Sequence, residues 1–390
     1  MKIINEIDIS NKTVLIRFDY NVPILKGKIL DAHRIISSLD TIHYCLKNHT
    51  AIVIMSHLGR PNGYNNKELS LKPVCEKLKS ILKRDIIFSE NCISSKAIEI
   101  SKNLKSGQIH FLENLRFYKE EINNDDKFSN KLSQHANIYI NDAFATTHRK
   151  HSSNYGLLKY FKTYCIGFLI NKEITHLETI KKTPQKPNIM ILGGAKITDK
   201  IAFINNMLNN IDILIIGGAM GFNFLKAKKK FKGASIADFK TIKIARDIIK
   251  NIDRNNVSLI LPVDALHAKS LDEYILPKIS SVEDIGKLDY AYDIGPKTIL
   301  LFKEVMKNAK TIFWNGPLGV YEYKKYSKGT KSIASAISRY TESGCVSIIG
   351  GGDTASAVKN LNEDCYFTHI STGGGASLHF LSNDQLPTLI

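Results

Sequence analysis

The sequence predicts an α/β protein with two doubly wound, Rossmann-like parallel sheets. Short β-branched apolar runs alternate with helical segments along the chain, as is typical of strands joined by helices and buried on both faces. The length of 390 residues exceeds what one hydrophobic core usually serves, so two domains are expected. A polar stretch with two prolines, at 183–187, interrupts the pattern near the middle of the chain.

The apolar runs place the individual strands. In the first half, strands are predicted at 13–18, 51–55, 108–112, 138–140 and 164–168. In the second half, they are predicted at 188–192, 213–216, 258–261, 311–314, 346–349 and 367–371. A polar-faced helix at 171–182 is predicted to end before the prolines. The expected domains are therefore 1–170 and 186–375, with 171–185 as a hinge helix and linker.

Composition and charge narrow the class of protein. Apolar residues make up 43% of the chain and charged residues 23%, which excludes a disordered chain or a coiled-coil rod. The net charge of +17 is spread evenly, with 25 basic and 16 acidic residues up to position 170 and 29 and 21 after it. No specific nucleic-acid partner is therefore expected, and the run Lys226–Lys230 is interpreted as a solvated helix end. Acidic residues within 1–8 and the scattered cysteines favour a cytoplasmic protein without a membrane partner.

Different residue types follow the strands in the two halves. Ligands of open α/β sheets bind at the carboxyl ends of the strands. In the first half these positions carry Arg, His, Asp and Asn side chains, which suit a small, multiply anionic substrate. In the second half they carry glycines with Lys and Asp, which suit a nucleotide whose phosphates are held by backbone N–H groups.

The glycine turn at 350–355 raises the question of which nucleotide is bound. It matches the G-x-G-x-x-G/A pattern of dinucleotide sites, and the chain has no P-loop motif. The next predicted strand lacks the acid that would hold a dinucleotide ribose, and Asp353 would repel a pyrophosphate unless a cation bridged them. A metal–nucleotide complex is favoured. A NAD-dependent dehydrogenase and a basic nucleic-acid-binding protein remain the alternatives, and Asp353 could instead cap a helix.

An ordered series of motifs resembles the phosphoglycerate kinase family from about Lys12 to Pro387. The motifs are Arg17-x-Asp19-x-Asn21-Val22-Pro23, Ser56-His57-Leu58-Gly59-Arg60-Pro61, Glu113-Asn114-Leu115-Arg116-Phe117, Asn141-Asp142-Ala143-Phe144, Gly193-Gly194-Ala195-Lys196-x3-Lys200, Trp314-Asn315-Gly316-Pro317-Leu318-Gly319-Val320, Gly350-Gly351-Gly352-Asp353-Thr354 and Ser371-Thr372-Gly373-Gly374-Gly375. The resemblance implies reversible phosphoryl transfer between 1,3-bisphosphoglycerate and ADP, giving 3-phosphoglycerate and MgATP, after hinge closure. It also implies a monomer whose C-terminal segment, about 376–390, returns to the first domain.

The same resemblance implies roles for individual residues. The substrate would be bound by Asp19, Tyr20, Asn21, Arg34, His57, Leu58, Gly59, Arg60, Arg116 and Arg149. The nucleotide would be bound by Gly193, Lys200, Gly217, Asn315, Glu322, Gly351, Gly352, Asp353 and Thr354, with Asp353 as the Mg²⁺ ligand. The moving phosphoryl group would be met by Arg34, Lys196, Gly373, Gly374 and Gly375, with Lys196 expected one helical turn before Lys200.

Some residues near these motifs have a structural interpretation. Arg17 lies within a predicted strand, so a buried ion pair is favoured over substrate contact. His148 is interpreted as a positioning residue for its neighbour, and Trp314 as a core residue.

Overall fold

Buried apolar runs form the strands of two parallel sheets in the computed structural model, which describes residues 1–234, 239–272, 274–361, 365–382 and 385–389. Contacts divide the chain into a first unit, Met1–Ile174 with Gln385–Ile390, and a second unit, Thr175–Asp384. The division falls within one helix, Phe168–Lys182. Only the residues from Gln385 onward return to the first unit, whereas the returning segment was expected from about 376.

Eight strands and six helices precede the division, and a seventh helix spans it. The strands are β1 (Thr13–Phe18), β2 (Ile24–Leu25), β3 (Lys28–Ile29), β4 (Ala51–Met55), β5 (Ile86–Ser89), β6 (Ile109–Leu112), β7 (Ile138–Asp142) and β8 (Thr163–Ile166). The helices are α1 (His33–Ile36), α2 (Leu39–Lys47), α3 (Lys72–Leu82), α4 (Ser95–Lys102), α5 (Lys119–Ile122), α6 (Asp126–Ser133) and α7 (Phe168–Lys182).

The remaining elements belong to the second unit. The strands are β9 (Asn188–Leu192), β10 (Ile213–Ile216), β11 (Ser258–Ile260), β12 (Asp264–Ala268), β13 (Lys278–Ser281), β14 (Tyr290–Ile294), β15 (Thr311–Asn315), β16 (Val346–Gly350) and β17 (His369–Ile370). The helices are α8 (Ile201–Met207), α9 (Gly218–Ala227), α10 (Phe239–Arg254), α11 (Pro296–Met306), α12 (Lys328–Glu342), α13 (Gly352–Leu361) and α14 (Gly375–Leu381).

Each unit contains a six-stranded parallel sheet. The strand order is β5-β6-β4-β1-β7-β8 in the first unit and β11-β10-β9-β15-β16-β17 in the second. In the first unit, β4, β5 and β6 lie on one side of β1, and the chain then places β7 on its other side. In the second unit, β10 and β11 lie on one side of β9, and the chain then places β15 on its other side. The pairs β1/β7 and β9/β15 are therefore the points where the strand order reverses, and ligands are expected at their carboxyl ends.

A third sheet was not expected from the sequence. Strands β13, β12 and β14 form an antiparallel sheet in the second unit, and β2 and β3 form a short hairpin in the first. The prediction of two doubly wound parallel sheets is confirmed. The sequence did not predict the two smaller antiparallel sheets. Strand β13 is largely exposed and carries no apolar run, so the sequence pattern gave no sign of it.

Several predicted boundaries need correction. The helix predicted at 171–182 begins at Phe168, because β8 ends at Ile166 and Asp142 accepts a hydrogen bond from the Ile170 N–H (3.0 Å) in the first turn of α7. Strand β7 extends two residues further than expected, to Asp142, and β17 is shorter than expected. Strand β5 at the sheet edge was missed.

Each parallel sheet has its own buried apolar residues. Val14, Ile16 and Ile54 are fully buried in the first unit, and Ile191, Ile312 and Trp314 in the second. Trp314 is thus a core residue, as predicted. In the part of the chain that the structure describes, no helix combines the length and apolar character needed to cross a bilayer.

Candidate functional site

The carboxyl ends of β1, β4, β6 and β7 bring the predicted substrate residues into one region of the first unit. Strand β1 pairs with β4 on one side and with β7 on the other. Asp19 follows β1, His57 follows β4 by two residues, and Arg116 lies in a short 3₁₀ helix after β6. Arg149 follows β7 after a 3₁₀ turn. The order of the strands, and not closeness in sequence, collects these groups.

Arg116 is the most constrained of the arginines. Its side chain is buried, and its Nη1 donates a hydrogen bond to the Gly59 carbonyl at 2.8 Å. Burial, together with the positive charges of Arg17 and Arg149, lowers the pKa of Arg116 to about 10. Its Nε is buried and has no hydrogen-bond partner among the described residues. A bound anion would supply both a partner and the missing negative charge.

Arg149 and Arg60 extend this positive region. Burial lowers the pKa of Arg149, and the charges of Arg60 and Arg17 act in the same direction. Its Nε donates to Nε2 of His148 at 3.1 Å, which fits the predicted positioning role of His148. Arg60 is exposed. Because these arginines destabilise one another's charge, the region is arranged for an anion and not for an internal ion pair.

His57 is neutral in this environment. Burial holds the pKa of His57 well below the usual range. The positive charges of four arginines act in the same direction, and Arg17 has the largest effect among them. Nη2 of Arg17 donates to Nδ1 of His57 at 3.0 Å, so the ring proton is on Nε2. Oδ1 of Asp19 lies 3.8 Å from Nδ1, but this contact is not an ion pair because the imidazole carries no charge. His57 is therefore a neutral N–H donor.

Asp19 and Asn21 hold the loop after β1. The Asp19 carboxylate forms an ion pair with Nη1 of Arg34, and its Oδ1 accepts the Asn21 N–H at 3.1 Å. Oδ1 of Asn21 accepts the Gly59 N–H at 2.9 Å, which joins the loops after β1 and β4. Burial lowers the pKa of Arg34, and Glu173 on α7 opposes that shift. Arg34 therefore pairs with Asp19, and the charge of Glu173 favours its protonated form.

Two of the predicted substrate residues have buried side chains. The Tyr20 ring is buried in the core against Phe18 and Phe111, and its hydroxyl is hydrogen-bonded to Ser38 at 2.8 Å. The Leu58 side chain is also buried, and its N–H and carbonyl are both hydrogen-bonded to the Asn114 amide. Both residues shape the loops, and their side chains face the interior.

Arg17 belongs to a buried network beneath the site. Its Nε donates to Oγ of Ser153 at 2.9 Å, and that hydroxyl donates to Oε1 of Glu121 at 2.6 Å. The charge of Glu121 also opposes the lowering of the Arg17 pKa by burial. The favoured interpretation of Arg17 as part of a buried charge pair therefore fits, with Ser153 as the bridge.

Glycines form the corresponding region of the second unit, at the carboxyl ends of β9 and β15. A Cβ on Gly193 would lie 2.2 Å from the Pro317 carbonyl oxygen, and one on Gly218 would lie 2.8 Å from the Gly194 nitrogen. Gly218 also has a φ of +60°, which favours glycine. Gly217 directly precedes α9. The backbones of these turns pack so closely against one another that neither position has room for a side chain.

The two predicted lysines of this unit lie in different settings. Nζ of Lys200 donates to the Gly193 carbonyl at 2.7 Å and lies 3.4 Å from the Asn315 carbonyl, so it is held over the turn after β9. Lys196 is exposed and lies before the 3₁₀ turn Thr198–Lys200. The prediction that Lys196 sits one helical turn before Lys200 is wrong, because the glycines after β9 form an extended turn and the helical residues begin only at Thr198.

A cavity of about 270 Å³ lies against this glycine region. Its walls include Gly194, Gly218 and the predicted ribose ligand Glu322. Four further apolar or aromatic wall residues were not singled out from the sequence: Phe222, Leu271, Tyr290 and Tyr292. Phe222 lies one helical turn after Gly218 on α9, a signal that could have identified it, whereas Tyr290 and Tyr292 lie on the unexpected strand β14.

The turn at the end of β16 leads directly into α13. Gly351 has a φ of +91°, and a Cβ there would lie 2.8 Å from Nδ2 of Asn315. The Thr354 hydroxyl accepts the Gly316 N–H at 2.6 Å, so this side chain ties the turn to the end of β15. Gly352 and Asp353 are exposed in the first helical turn.

Asp353 is the residue in this turn that could hold Mg²⁺. Magnesium in nucleotide sites keeps several waters and is bound by one or two carboxylates together with phosphate oxygens, so one exposed carboxylate at a phosphate-binding turn fits. Within the described ranges, no group of three or more His, Cys, Asp or Glu side chains suited to a metal ion occurs.

The last glycine motif precedes α14. Gly374 has a φ of +53°, and open space surrounds the position of its missing Cβ. The Gly373 N–H donates to Oγ of Ser371 at 3.1 Å, so this amide already has a partner. Gly375 is the first residue of the helix.

Comparison with known proteins identifies the family. The family model described as phosphoglycerate kinase matches residues 4–384. The phosphoglycerate kinase of Clostridium botulinum (strain Hall) is 42% identical over 99% of this chain and 97% of its own length. That of Finegoldia magna is also 42% identical, with the same coverage.

Solved structures agree with the sequence relatives. Phosphoglycerate kinase from Coxiella burnetii has a TM-score of 0.86 at 34% identity, covering 100% of this chain and 97% of that one. The Pyrococcus horikoshii enzyme has a TM-score of 0.88 at 30% identity, covering 100% and 98%. Neither the dehydrogenase nor the nucleic-acid-binding alternative is supported by these matches. With the ordered motifs and the two strand-end regions, they show that the chain belongs to the phosphoglycerate kinase family.

Proposed function

We propose that this chain catalyses reversible phosphoryl transfer between 1,3-bisphosphoglycerate and ADP, giving 3-phosphoglycerate and ATP in glycolysis. The observation that carries the assignment is the contrast between the two reversal points. One presents arginines and a neutral histidine, and the other presents a side-chain-free backbone cradle beside an apolar cavity. An anionic metabolite suits the first, and a nucleotide suits the second.

The first unit would bind 3-phosphoglycerate. We assign the phosphate to Arg60, Arg116 and Arg149 with the His57 N–H, because planar guanidinium groups pair well with phosphate oxygens. The hydroxyl and carboxylate end of the substrate would then lie toward Asp19, Asn21 and Arg34. The acceptor carboxylate has an unperturbed pKa of about 4 and is ionised at neutral pH, so the reaction needs no general base.

The second unit would bind the nucleotide. The base would enter the cavity beside Gly217 and Gly218, and Glu322 on its wall would reach the ribose. Lys200, held at the turn after β9, would meet the phosphates together with the N–H groups at the start of α13. When bound at Asp353, Mg²⁺ would neutralise negative charge on the phosphate oxygens.

The reaction itself depends on alignment and on stabilising charge on the transferring oxygens. We assign that task to Arg34, Lys196 and the backbone of Gly373, Gly374 and Gly375. We propose 171–185, which includes most of α7, as the hinge whose closure lets the two ligands react. We further propose that the enzyme acts as a monomer in the cytoplasm.

A coupled assay with 3-phosphoglycerate and MgATP tests the assignment. ADP formation should require both substrates, and Arg116→Ala should abolish most of it, whereas Arg84→Ala at an exposed position should not. Absence of transfer by the folded wild-type protein would refute the proposed function. Calorimetric titration with NADH should show no binding, because Ser371, Thr372 and Gly373 follow β17 where a dinucleotide site would place an acid.

A further inference from the structure

Two short segments of the second half that adjoin the nucleotide cavity are rich in lysine. Residues 222–234 contain five lysines and no acidic residue, and residues 320–331 contain four lysines and one acidic residue, Glu322. Outside these two segments, the chain from 171 onward carries 20 basic and 20 acidic residues. The whole excess of +8 in this half therefore comes from two short segments.

The first of these segments starts and ends at the cavity wall. Phe222 and Ala234 both line the cavity, and the lysines lie between them in the sequence. The Phe231 ring packs on the Phe222 ring with centroids 5.3 Å apart, and Ala234 pairs with Tyr290, another wall residue. Lys230 and Lys232 flank Phe231 and are exposed. Both lysines thus belong to a segment whose two ends lie at the cavity wall.

The second segment is also joined to the wall. It begins at Val320 and Glu322, which line the cavity. Nζ of Lys325 donates to the carbonyls of Asp272 (2.6 Å) and Ile275 (2.8 Å), in the loop that follows the wall residue Leu271. Lys324 and Lys328 are exposed beside it.

The lysines of the two segments lie at residues 226–232 and 324–331, which we call the lysine rim. We propose that the lysine rim attracts negatively charged nucleotides and guides them into the cavity. The proposal rests on the proposed function and deepens it. A cluster of like charges beside a low-dielectric pocket raises the local concentration of a counter-charged ligand and its association rate. The effect concerns the charge of the ligand and not its base, so it acts on MgATP and MgADP but not on an uncharged nucleoside.

A salt titration of full-length variants tests the rim. The first variant carries Lys228→Gln, Lys230→Gln and Lys232→Gln, and the second carries Lys324→Gln and Lys328→Gln. The matched control carries Lys250→Gln, Lys307→Gln and Lys310→Gln, three exposed lysines near the amino ends of the strands of the same unit. It changes the net charge as the first variant does, but away from the carboxyl-end cavity.

The rim variants should lose about threefold or more in kcat/KM for MgATP at low ionic strength, about 0.02 M, and should match wild type near 0.3 M. Their kcat should stay unchanged. Calorimetry should show the same salt-dependent loss of MgADP affinity, with adenosine affinity unchanged. The control should follow wild type throughout.

Two results would overturn the proposal. One is a rim variant whose kcat/KM and MgADP affinity follow salt as in wild type. The other is a variant with a lowered unfolding temperature and a salt-independent loss of affinity, which would make the lysines structural partners of the α9 terminus. If wild type bound MgADP but transferred no phosphoryl group, the proposed function would fail, while the binding data would still decide the role of the rim.

Discussion

Arg34 interacts with two acidic groups in the absence of a ligand. It forms an ion pair with Asp19, and Glu173 stabilises its charged form although burial lowers its pKa. If this charge stabilises the transition state, Arg34→Ala should lower kcat by roughly 10²-fold or more and leave MgATP affinity little changed. Steady-state kinetics and MgATP calorimetry measure both, with Arg84→Ala as the control. A near-normal kcat with a raised KM for 3-phosphoglycerate would exclude that role.

Asp353 has two competing interpretations, a Mg²⁺ ligand and a helix cap. A neutral amide is a poorer ligand for a hard cation, so Asp353→Asn should raise the Mg²⁺ concentration needed for half-maximal turnover. The exposed substitution Asp253→Asn serves as control. An unchanged Mg²⁺ dependence with a lowered unfolding temperature would favour the helix cap.

The limit of sequence reasoning is visible at single residues. Motif order indicated which loops meet, and the structure brings Asp19, His57 and Arg116 to one region of the first unit. The motifs could not indicate, however, whether the side chain of a loop residue points outward. Tyr20 lies between predicted ligands, yet its ring is buried in the core, because the N–H of Tyr20 is fixed by Oγ of Ser56 at 2.8 Å. Backbone hydrogen bonds of that kind leave no pattern in the sequence.

At the scale of elements, a buried chain of hydrogen bonds joins α4, β6 and the turn after α6. Nε2 of His135 donates to the Cys92 carbonyl (2.9 Å), so its Nδ1 accepts the Ser101 hydroxyl (2.6 Å). His110 must then donate from Nδ1 to Oγ of Ser101 (2.8 Å) and accept at Nε2 from Ser89 (2.7 Å). Each imidazole ring thus has one fixed neutral tautomer. A second ring proton would point at the hydroxyl that now donates to that nitrogen, so protonation would break the hydrogen bond.

This network should make stability fall in acid. Burial lowers the pKa of His110 and of His135 to about 4, below the unperturbed value of about 6.5. Between these values the unfolded chain binds more protons, so the free energy of unfolding decreases as pH falls, by on the order of 1 kcal/mol per pH unit for each histidine. Urea unfolding of His110→Gln/His135→Gln should show a shallower decrease than wild type.

The exposed substitution His43→Gln provides the control and should leave the slope unchanged. Parallel stability curves for wild type and the double variant would mean that neither histidine changes its protonation on unfolding.

Elements were predictable where burial was continuous. Strands β1, β4, β9 and β10 are almost wholly buried and were placed correctly from their apolar runs. Strand β5 is half-exposed at a sheet edge, and β12 has a histidine and an aspartate among its five residues. Neither produces the apolar run or the strict alternation on which sequence patterns depend.

At the scale of the whole molecule, each unit should bind one of the two ligands. Arg149→Ala should weaken 3-phosphoglycerate binding and leave MgADP binding unchanged, since Arg149 belongs to the first unit. Gly218→Ala should do the reverse, because its φ of +60° and the Gly194 nitrogen 2.8 Å from a Cβ leave no room beside the cavity. Calorimetry on the full chain measures both affinities.

Gly286→Ala is the matched control, because a Cβ there meets no atom within 4 Å. If Arg149→Ala weakened MgADP and spared 3-phosphoglycerate, the assignment of ligands to units would be reversed.

The arginine region of the first unit also has a consequence for the lifetime of the protein. Its arginines lower one another's pKa, so the free enzyme keeps a repulsion that a bound anion removes. A ligand that binds only the folded chain stabilises it in proportion to the logarithm of its concentration relative to the dissociation constant. Phosphate and sulfate should therefore raise the unfolding temperature more than chloride at equal ionic strength. In the cell, the metabolite that the enzyme consumes would protect it from proteolysis, so that its abundance would follow the supply of its own substrate.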